Sequence, residues 1–166
     1  MIAILHADKK WGIGKKNDLM FRLPLDMKFF RETTSGKVVC MGYNTLLSFP
    51  GGKPLKNRTN VVLCEDGISP EGCIAVHSVK ELLETVGNYP PDDVFVIGGG
   101  SVYRTMLPYC DKVYLTKVDA DGGAEVFFPD LDADENFVLR KESEPVIDNG
   151  YKIRFTVYEN TAVKRG

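Results

Sequence analysis

A carboxylate beside an aromatic and a thioether side chain is the first feature of this chain that could do chemistry. Asp26, Met27 and Phe30 lie in a segment with helical spacing that begins at Pro24. Asp26 and Phe30 are four positions apart and share a helix face, and Met27 precedes Phe30 by three. Such a carboxylate can accept a pair of N–H groups from a flat, nitrogen-rich ring while Phe30 packs on the ligand. By position alone, an acid in a first helical turn more often complements the helix dipole, so both interpretations stay open.

Three glycines between a predicted strand and a predicted helix are the second such feature. Gly98, Gly99 and Gly100 directly follow the apolar run that ends at Ile97. Glycine lets the backbone approach a ligand closely, and free N–H groups at a helix start can bind an anion such as a pyrophosphate. Tyr103 stands where the Rossmann fingerprint has its last glycine. A tight structural turn and a phosphate site are equally compatible with this pattern.

Nucleophilic, metal-dependent and nucleoside-triphosphate chemistry have little support. His6 and His77 are the two histidines, and neither belongs to an H-E-x-x-H or G-x-S-x-G pattern. The four cysteines form no C-x-x-C pair, so we expect reduced, buried thiols and no metal site. Gly52-Lys53 lacks both the upstream glycine and the following Ser or Thr of a Walker A loop.

The composition indicates one domain that binds a small molecule. The 166 residues carry 21 basic and 23 acidic side chains, so the net charge of −2 supplies no field that would attract nucleic acid or an anionic membrane. The apolar run at residues 1–5 is too short for a signal peptide or a membrane span. We therefore expect a cytoplasmic protein.

Apolar runs that alternate with helical patterns predict an α/β fold, with a mostly parallel central sheet flanked by helices. Asn149-Gly150 is a type I′ turn signal and predicts an antiparallel C-terminal hairpin. One domain should span 1–160, followed by a short tail at 161–166. Strands are expected at 2–7, 37–41, 60–64, 93–97 and 112–118. Helices are expected from Pro24 to Gly36, at 79–86 after the capping box Ser78 to Glu81, and from Gly100 to Pro108.

Several segments, taken in order from Ile2 to about Tyr158, resemble the dihydrofolate reductase family. Each is modest alone, and together they are highly specific. The similar segments are Ile13-Gly14 with Asn17 and then Leu23-Pro24-x-Asp26, Met41-Gly42-Tyr43-Asn44-Thr45, Arg58-x-Asn60-x-Val62-Leu63, Ile97-Gly98-Gly99 to Tyr103, and Tyr114-Leu115-Thr116 through Phe128-Pro129.

The resemblance implies a monomeric enzyme that reduces 7,8-dihydrofolate to 5,6,7,8-tetrahydrofolate by hydride transfer from NADPH. This reaction would supply one-carbon metabolism and the synthesis of thymidylate and purines, and antifolates would inhibit it. Asp26 would bind the pteridine and Thr116 would orient Asp26, while Arg58 would clamp the glutamate tail. A loop at 13–20 would close over the nicotinamide, and the Gly98–Gly99 peptide would be cis.

The resemblance also implies three sets of site residues. The catalytic set is Asp26, Thr116, Phe21 and Leu19. The substrate-binding set is Ile4, Leu5, Asp26, Met27, Phe30, Phe49, Arg58 and Thr116. The cofactor-binding set is His6, Ile13, Gly14, Asn17, Leu19, Gly42, Tyr43, Asn44, Thr45, Leu63, Cys64, His77, Ile97, Gly98, Gly99, Gly100, Ser101, Val102 and Tyr103.

Some positions depart from the family pattern. Tyr43 stands where an arginine often contacts the 2′-phosphate of NADPH, and Cys64 replaces a usual serine; NADPH is still expected over NADH, with His77 as partial compensation. Phe21 replaces a usual tryptophan. His6 stands where a small residue is usual. Either His6 narrows or polarises the pocket and weakens some antifolates more than dihydrofolate, or its side chain turns away towards other polar groups.

Two alternatives stay open. One is a related reductase that acts on a phosphorylated ribosyl-pyrimidine, which would need a basic cluster for the phosphate. The other is a nucleotide-binding module without catalytic activity. The presence of Asp26, Thr116 and Arg58 favours the folate enzyme over both.

Overall fold

The computed structural model describes residues 1–15 and 19–165. Its helices are α1 (Pro24–Thr34), α2 (Tyr43–Ser48), α3 (Val79–Val86) and α4 (Gly100–Met106). Its strands are β1 (Ile2–Ala7), β2 (Gly12–Gly14), β3 (Val38–Gly42), β4 (Thr59–Leu63), β5 (Ile74–Val76), β6 (Val94–Val96), β7 (Lys112–Val118), β8 (Val126–Phe127), β9 (Phe137–Glu142), β10 (Val146–Asp148) and β11 (Tyr151–Asn160). None of the helices in these described ranges is long and apolar enough to cross a membrane.

Within the described residues, nine strands form one sheet in the order β10-β11-β7-β1-β6-β3-β4-β5, with β9 also paired to β11. All neighbours from β7 to β5 are parallel, whereas β11 is antiparallel to β7, β9 and β10. The predicted α/β architecture with an antiparallel C-terminal hairpin is therefore confirmed. A separate small ladder joins β2 to β8.

Two apolar clusters lie on opposite faces of the sheet because successive residues of a strand point in opposite directions. Cys40 and Val96 pack on one face with Leu82 of α3 and Met106 of α4. The other face holds Ile2, Ile4, Val39, Met41 and Phe95, together with Leu46 of α2 and the aromatic rings of α1. Helices thus cover both faces, which explains why the central strands are apolar throughout.

The local signals at the element ends are largely confirmed. α1 begins at Pro24 and ends at Thr34, two residues before Gly36, whose φ is +76°. Asn149 and Gly150 have φ values of 50° and 83°, as a type I′ turn requires. The capping box at α3 is only half formed. Ser78 accepts a bond from the Glu81 amide, but the Glu81 carboxylate accepts from His77 N–H instead of Ser78 N–H.

The predictions about the cysteine side chains and about the residues after 160 differ in part from the structure. Cys40, Cys64 and Cys110 are buried, but Cys73 is only half-buried, so the prediction of four buried thiols is wrong for this one. Residues just after 160 are held to the domain. The Thr161 hydroxyl donates to the Asn136 carbonyl, and the amide of Lys164 donates to the carbonyl of Pro108.

Candidate active site

Three elements meet at the Asp26 carboxylate. The parallel strands β1 and β7 pair with His6 directly beside Thr116, and α1 places Asp26 above both. The Thr116 hydroxyl donates to Oδ1 of Asp26 at 2.7 Å, and Nδ1 of His6 lies 3.3 Å from Oδ2. The Asp26 side chain is 13% exposed. This leaves a largely enclosed carboxylate with one polar neighbour on each oxygen.

Asp148, a residue that the sequence analysis missed, caps the start of α1. Its two carboxylate oxygens accept from the amides of Leu25 and Asp26, each at 3.1 Å, and its side chain is buried. A carboxylate at a helix N-terminus both satisfies free N–H groups and complements the dipole. Because Asp148 meets that requirement, the Asp26 carboxylate is available to the site. No local signal in the Asp148-Asn149-Gly150 turn could have connected it to a helix 122 residues earlier.

Aromatic and aliphatic side chains surround Asp26. Phe21 is buried beside His6, with ring centroids 6.1 Å apart. Ile4 is part of the apolar cluster against which Phe30, Phe49 and Ile97 pack. These predicted contacts therefore lie on one face of the sheet with Asp26.

Three other residues predicted at this site are placed differently. Leu5 packs into the apolar cluster on the opposite face, so only its backbone faces the Asp26 side. Met27 is 48% exposed on α1, and Leu19 is 62% exposed. A bound ligand would have to cover these last two side chains to make the predicted contacts.

Arg58 supplies a cation at the edge of α1. Its guanidinium carbon lies 5.8 Å from the centroid of the Phe30 ring. Burial lowers the pKa of Arg58, and the nearby charge of Arg31 lowers it further. Its Nε is buried and has no hydrogen-bond partner within the ranges 1–15 and 19–165. A carboxylate ligand would satisfy this donor and the charge together.

The glycine turn lies where two parallel strands end side by side. β3 pairs with β6, and both lead into helices, so the amino ends of α2 and α4 meet at one edge of the sheet. The Gly42 amide donates to the Gly98 carbonyl at 2.9 Å, and the Gly98–Gly99 peptide is cis, as the resemblance implies. A Cβ on Gly99 would lie 3.4 Å from Oγ1 of Thr45. The amino ends of two helices thus meet here beside backbone and small groups, an arrangement that fits a dinucleotide pyrophosphate.

The β2–β8 ladder covers this turn. A Cβ on Gly100 would lie 2.5 Å from a methyl of Val126 and 4.0 Å from Cδ1 of Ile13, so a larger residue here would displace Val126. The carbonyl of Gly14 accepts from the amide of Glu125 at 2.9 Å. Ile13 and Gly14 are therefore beside the predicted cofactor site, while Asn17 lies outside the described residues.

The buried side chain of Asp8 ties the chain before β2 to the chain before β8. Its oxygens accept from the amides of Lys10, Gly12 and Gly122. The sequence analysis missed this role as well. A lone aspartate after a strand carries no signal for a partner 114 residues away.

The remaining residues of the predicted cofactor set divide into three groups. Leu63 ends β4 and Cys64 follows it, and Nδ1 of His77 lies 3.0 Å from the Cys64 carbonyl oxygen, so these three are together. Tyr43, Asn44 and Ser101 lie in the first turns of α2 and α4 at the same edge of the sheet. Val102 and Tyr103 instead point into the core.

Tyr103 is tied to β1. Its hydroxyl donates to the Ile4 carbonyl at 2.8 Å, and burial raises its pKa. The Tyr103 ring lies beside the glycine turn, 3.4 Å from a Cβ built on Gly98, so it packs under the predicted cofactor site.

Comparisons with known proteins agree with this geometry. A family model described as dihydrofolate reductase matches residues 1–160. The chain is 36% identical to a dihydrofolate reductase of Bacillus subtilis strain 168 over 163 residues, which cover 96% of this chain and 94% of the relative. It is also 36% identical to the dihydrofolate reductase of Haemophilus influenzae over 149 residues, covering 87% and 89%.

A solved structure is similar throughout. The dihydrofolate reductase from Enterococcus faecalis, complexed with NADP(H) and RAB-propyl, superposes with a TM-score of 0.85 at 32% identity. The match covers 96% of this chain and 95% of that one. From the model match over residues 1–160, the relatives and the arrangement around Asp26, the chain belongs to the dihydrofolate reductase family.

Proposed function

We infer that this protein reduces 7,8-dihydrofolate to 5,6,7,8-tetrahydrofolate with NADPH as the reductant. One observation carries the inference: in a chain of this family, the Asp26 carboxylate is largely enclosed and contacted at both oxygens by Thr116 and His6. The family match and an NADP(H)-complexed structural neighbour support the same activity. Residue roles follow from this geometry as proposals.

Asp26 recognises the pteridine. An ionised carboxylate only accepts hydrogen bonds, so it suits the 2-amino and N3–H edge of that ring. Its negative charge also favours a proton on N5, which water delivers, because a charge in an enclosed site is weakly screened. Thr116 orients the carboxylate through its 2.7 Å bond. Diaminopyrimidine-type antifolates, which carry similar N–H groups, bind at the same carboxylate.

Arg58 recognises the other end of the substrate. Its half-buried guanidinium lies beside Phe30 of α1, and its Nε has no hydrogen-bond partner in the part of the chain that the structure describes, so it suits the α-carboxylate of the glutamate tail. Phe30 contacts this guanidinium and packs on the benzoyl portion. Ile4, Phe49 and Met27 complete the apolar walls.

The edge formed by α2, α4 and the glycine turn would hold NADPH. Bound there, NADPH supplies the hydride that passes from C4 of the nicotinamide to C6 of the pteridine. Gly42, Thr45 and Gly98 to Gly100 would meet the pyrophosphate, and Leu63, Cys64 and His77 would flank the adenosine. Leu19, Ile13 and Gly14 would exclude water from the nicotinamide side, with Phe21 packed behind them.

We further propose that the protein acts as a monomer in the cytoplasm, with residues 1–160 as the catalytic domain and 161–166 as a short tail. Its net charge of −2 gives no basis for nucleic-acid binding. The product would serve one-carbon metabolism and the synthesis of thymidylate and purines. Sedimentation of the purified protein tests the monomer.

The function is tested by mixing protein, dihydrofolate and NADPH and following near-ultraviolet absorbance. We expect oxidation of NADPH that depends on dihydrofolate. Binding of NADPH without oxidation would instead indicate a nucleotide-binding module, and turnover of a phosphorylated ribosyl-pyrimidine would indicate the related reductase.

Asp26→Asn tests the catalytic acid in that assay. We expect the rate of hydride transfer at neutral pH to fall at least 100-fold, because general acid–base and charge effects contribute about 10²–10⁴-fold. The rate should recover partly at low pH, where the substrate arrives already protonated. Lys28→Gln, on an exposed part of the same helix, is the matched control and should keep full activity. Full activity of Asp26→Asn at neutral pH would refute the role.

A further inference from the structure

His6 faces the Asp26 carboxylate from the floor of the site. Its side chain is 8% exposed, and its Nδ1 lies 3.3 Å from Oδ2 of Asp26. Among the described residues, Thr116 stands beside His6 across β1 and β7, and the centroid of the buried Phe21 ring lies 6.1 Å from that of His6. The side chain has therefore turned towards the catalytic carboxylate and is not directed away from the site.

The chemistry of the pair favours one tautomer of His6. A carboxylate oxygen can only accept, so the 3.3 Å contact of Nδ1 with Oδ2 is favourable when Nδ1 carries the proton. The other nitrogen, Nε2, is buried and has no hydrogen-bond partner within the described part of the chain. Nε2 therefore meets no proton donor or acceptor among these residues, which does not favour His6 as a proton relay to Asp26.

Holding the carboxylate is the role that remains. Rotation about the terminal torsion of aspartate is broad, so one hydrogen bond from Thr116 to Oδ1 does not fix the plane of the carboxylate. The second contact, between Oδ2 and Nδ1 of His6 at 3.3 Å, restrains the other oxygen as well. Preorganised polar groups act best when they need no reorientation as the reaction proceeds.

Resting on the proposed function, we propose that His6 is a positioning residue, which holds Oδ2 of Asp26 through Nδ1–H and sets the carboxylate plane for pteridine binding and reduction. His6 and Thr116 are neighbours across β1 and β7, so the sheet itself presents the two groups side by side. The ring of His6 does not need to touch the reacting atoms for this role.

Nitrogen NMR of the imidazoles tests the contact without any turnover. The chain has only two histidines, so the spectrum contains two ring systems, and His77→Gln assigns them. We expect His6 to be protonated at Nδ1 and its ring signals to move in Asp26→Asn. His77, which contacts Cys64 and Asp66, should not respond. A His6 ring protonated only at Nε2, or unchanged by Asp26→Asn, would overturn the proposal.

Kinetics of two variants then separate positioning from packing. His6→Asn keeps an N–H donor near the place of Nδ1, whereas His6→Leu keeps bulk and removes the donor. Because hydrogen bonds to charged groups are strong, we expect kcat/KM for dihydrofolate to fall about tenfold in His6→Leu. It should stay within about threefold of wild type in His6→Asn. Urea unfolding of both variants shows whether the fold is retained.

Measuring KM for dihydrofolate and KM for NADPH in both variants distinguishes positioning of Asp26 from the other roles of His6. Equal losses in both variants would assign His6 to packing, and a change confined to KM for NADPH would assign it to the cofactor; either result overturns the proposal. Failure of the proposed function itself would instead appear as a wild-type protein that does not oxidise NADPH. The NMR result does not depend on that activity.

Discussion

At the scale of single residues, the site combines one enclosed carboxylate with one cation whose Nε has no hydrogen-bond partner within the described residues. Asp26 lies between His6 and Thr116, whereas Arg58 lies at the rim with its Nε unsatisfied. The acid suits a ring with N–H donors, and the cation suits a carboxylate. A ligand that carries both groups at its two ends can satisfy both residues at once.

Arg58→Gln should therefore separate the two ends of the ligand. We expect the KM for dihydrofolate to rise about 10- to 100-fold, because a charge-assisted bond to the glutamate carboxylate is lost, with little change in kcat. A 2,4-diaminopyrimidine inhibitor that lacks glutamate should bind as tightly as to the wild type. Arg140→Gln is the control, since that side chain pairs with Glu159 on the surface. Equal losses for both ligands would contradict the assignment.

His6 is the residue whose effect on inhibitors the sequence leaves most open. His6→Ala would enlarge the floor of the site and free Oδ2 of Asp26. We expect tighter binding of some antifolates relative to dihydrofolate, measured as the ratio of inhibition constant to KM. Unchanged affinities of His6→Ala for both the antifolate and dihydrofolate would contradict a role of His6 in discriminating between the two ligands.

At the scale of elements, the C-terminal hairpin contacts the start of the helix that carries Asp26. Asp148 ends β10 and binds the first amides of α1, so two elements that are distant in sequence act as one unit. The Asn149 side chain adds a second link by donating to the Arg22 carbonyl. The hairpin thereby sets the height of Asp26 above Thr116.

Asp148→Ala should cost both stability and activity. We expect the free energy of unfolding to fall by about 1–2 kcal/mol, as for other lost helix caps, measured by urea denaturation. The value of kcat/KM should fall too, because the first turn of α1 is released. Ile147→Ala, on an exposed neighbour in the same strand, should change stability by less than about 0.5 kcal/mol. Wild-type stability in Asp148→Ala would show that the cap is dispensable.

At the scale of the whole molecule, the parallel sheet has buried ionisable groups on its covered faces. Burial raises the pKa of the Cys40 and Cys110 thiols to about 12. An unfolded chain releases these protons near pH 8.5. Between those values the native state binds more protons than the unfolded state, so the folded protein loses stability as pH rises.

Urea unfolding at pH 7, 9 and 10.5 checks this dependence. The contribution is complete below about pH 8.5, and each thiol should then remove roughly 1 kcal/mol per pH unit above it. Cys40→Val should make the loss shallower because one such thiol is removed. Cys73→Ser, at a half-buried position, should leave most of the slope in place. Identical slopes in Cys40→Val and the wild type would argue against the assignment.

Predictions made from local sequence signals were confirmed where the conformation is set by interactions between residues close in sequence. Pro24 begins α1, Ser78 caps α3, and Asn149-Gly150 forms the left-handed turn of the hairpin, because each depends on neighbours within a few residues. The Glu81 carboxylate was predicted to accept from the Ser78 amide. It accepts from the His77 amide instead, because that donor is only one residue earlier in the chain.

Fold class, family resemblance and Asp26 as the candidate acid could all be predicted from the chain, since hydrophobic periodicity and the order of motifs are local properties of a sequence. The contacts that leave the Asp26 carboxylate available to a ligand could not be predicted, because they depend on tertiary structure. Asp148 takes over the capping of α1, while Thr116 and His6 meet the two carboxylate oxygens. These contacts join residues 20, 90 and 122 positions from Asp26, and distances of that kind depend on how strands order themselves in a sheet.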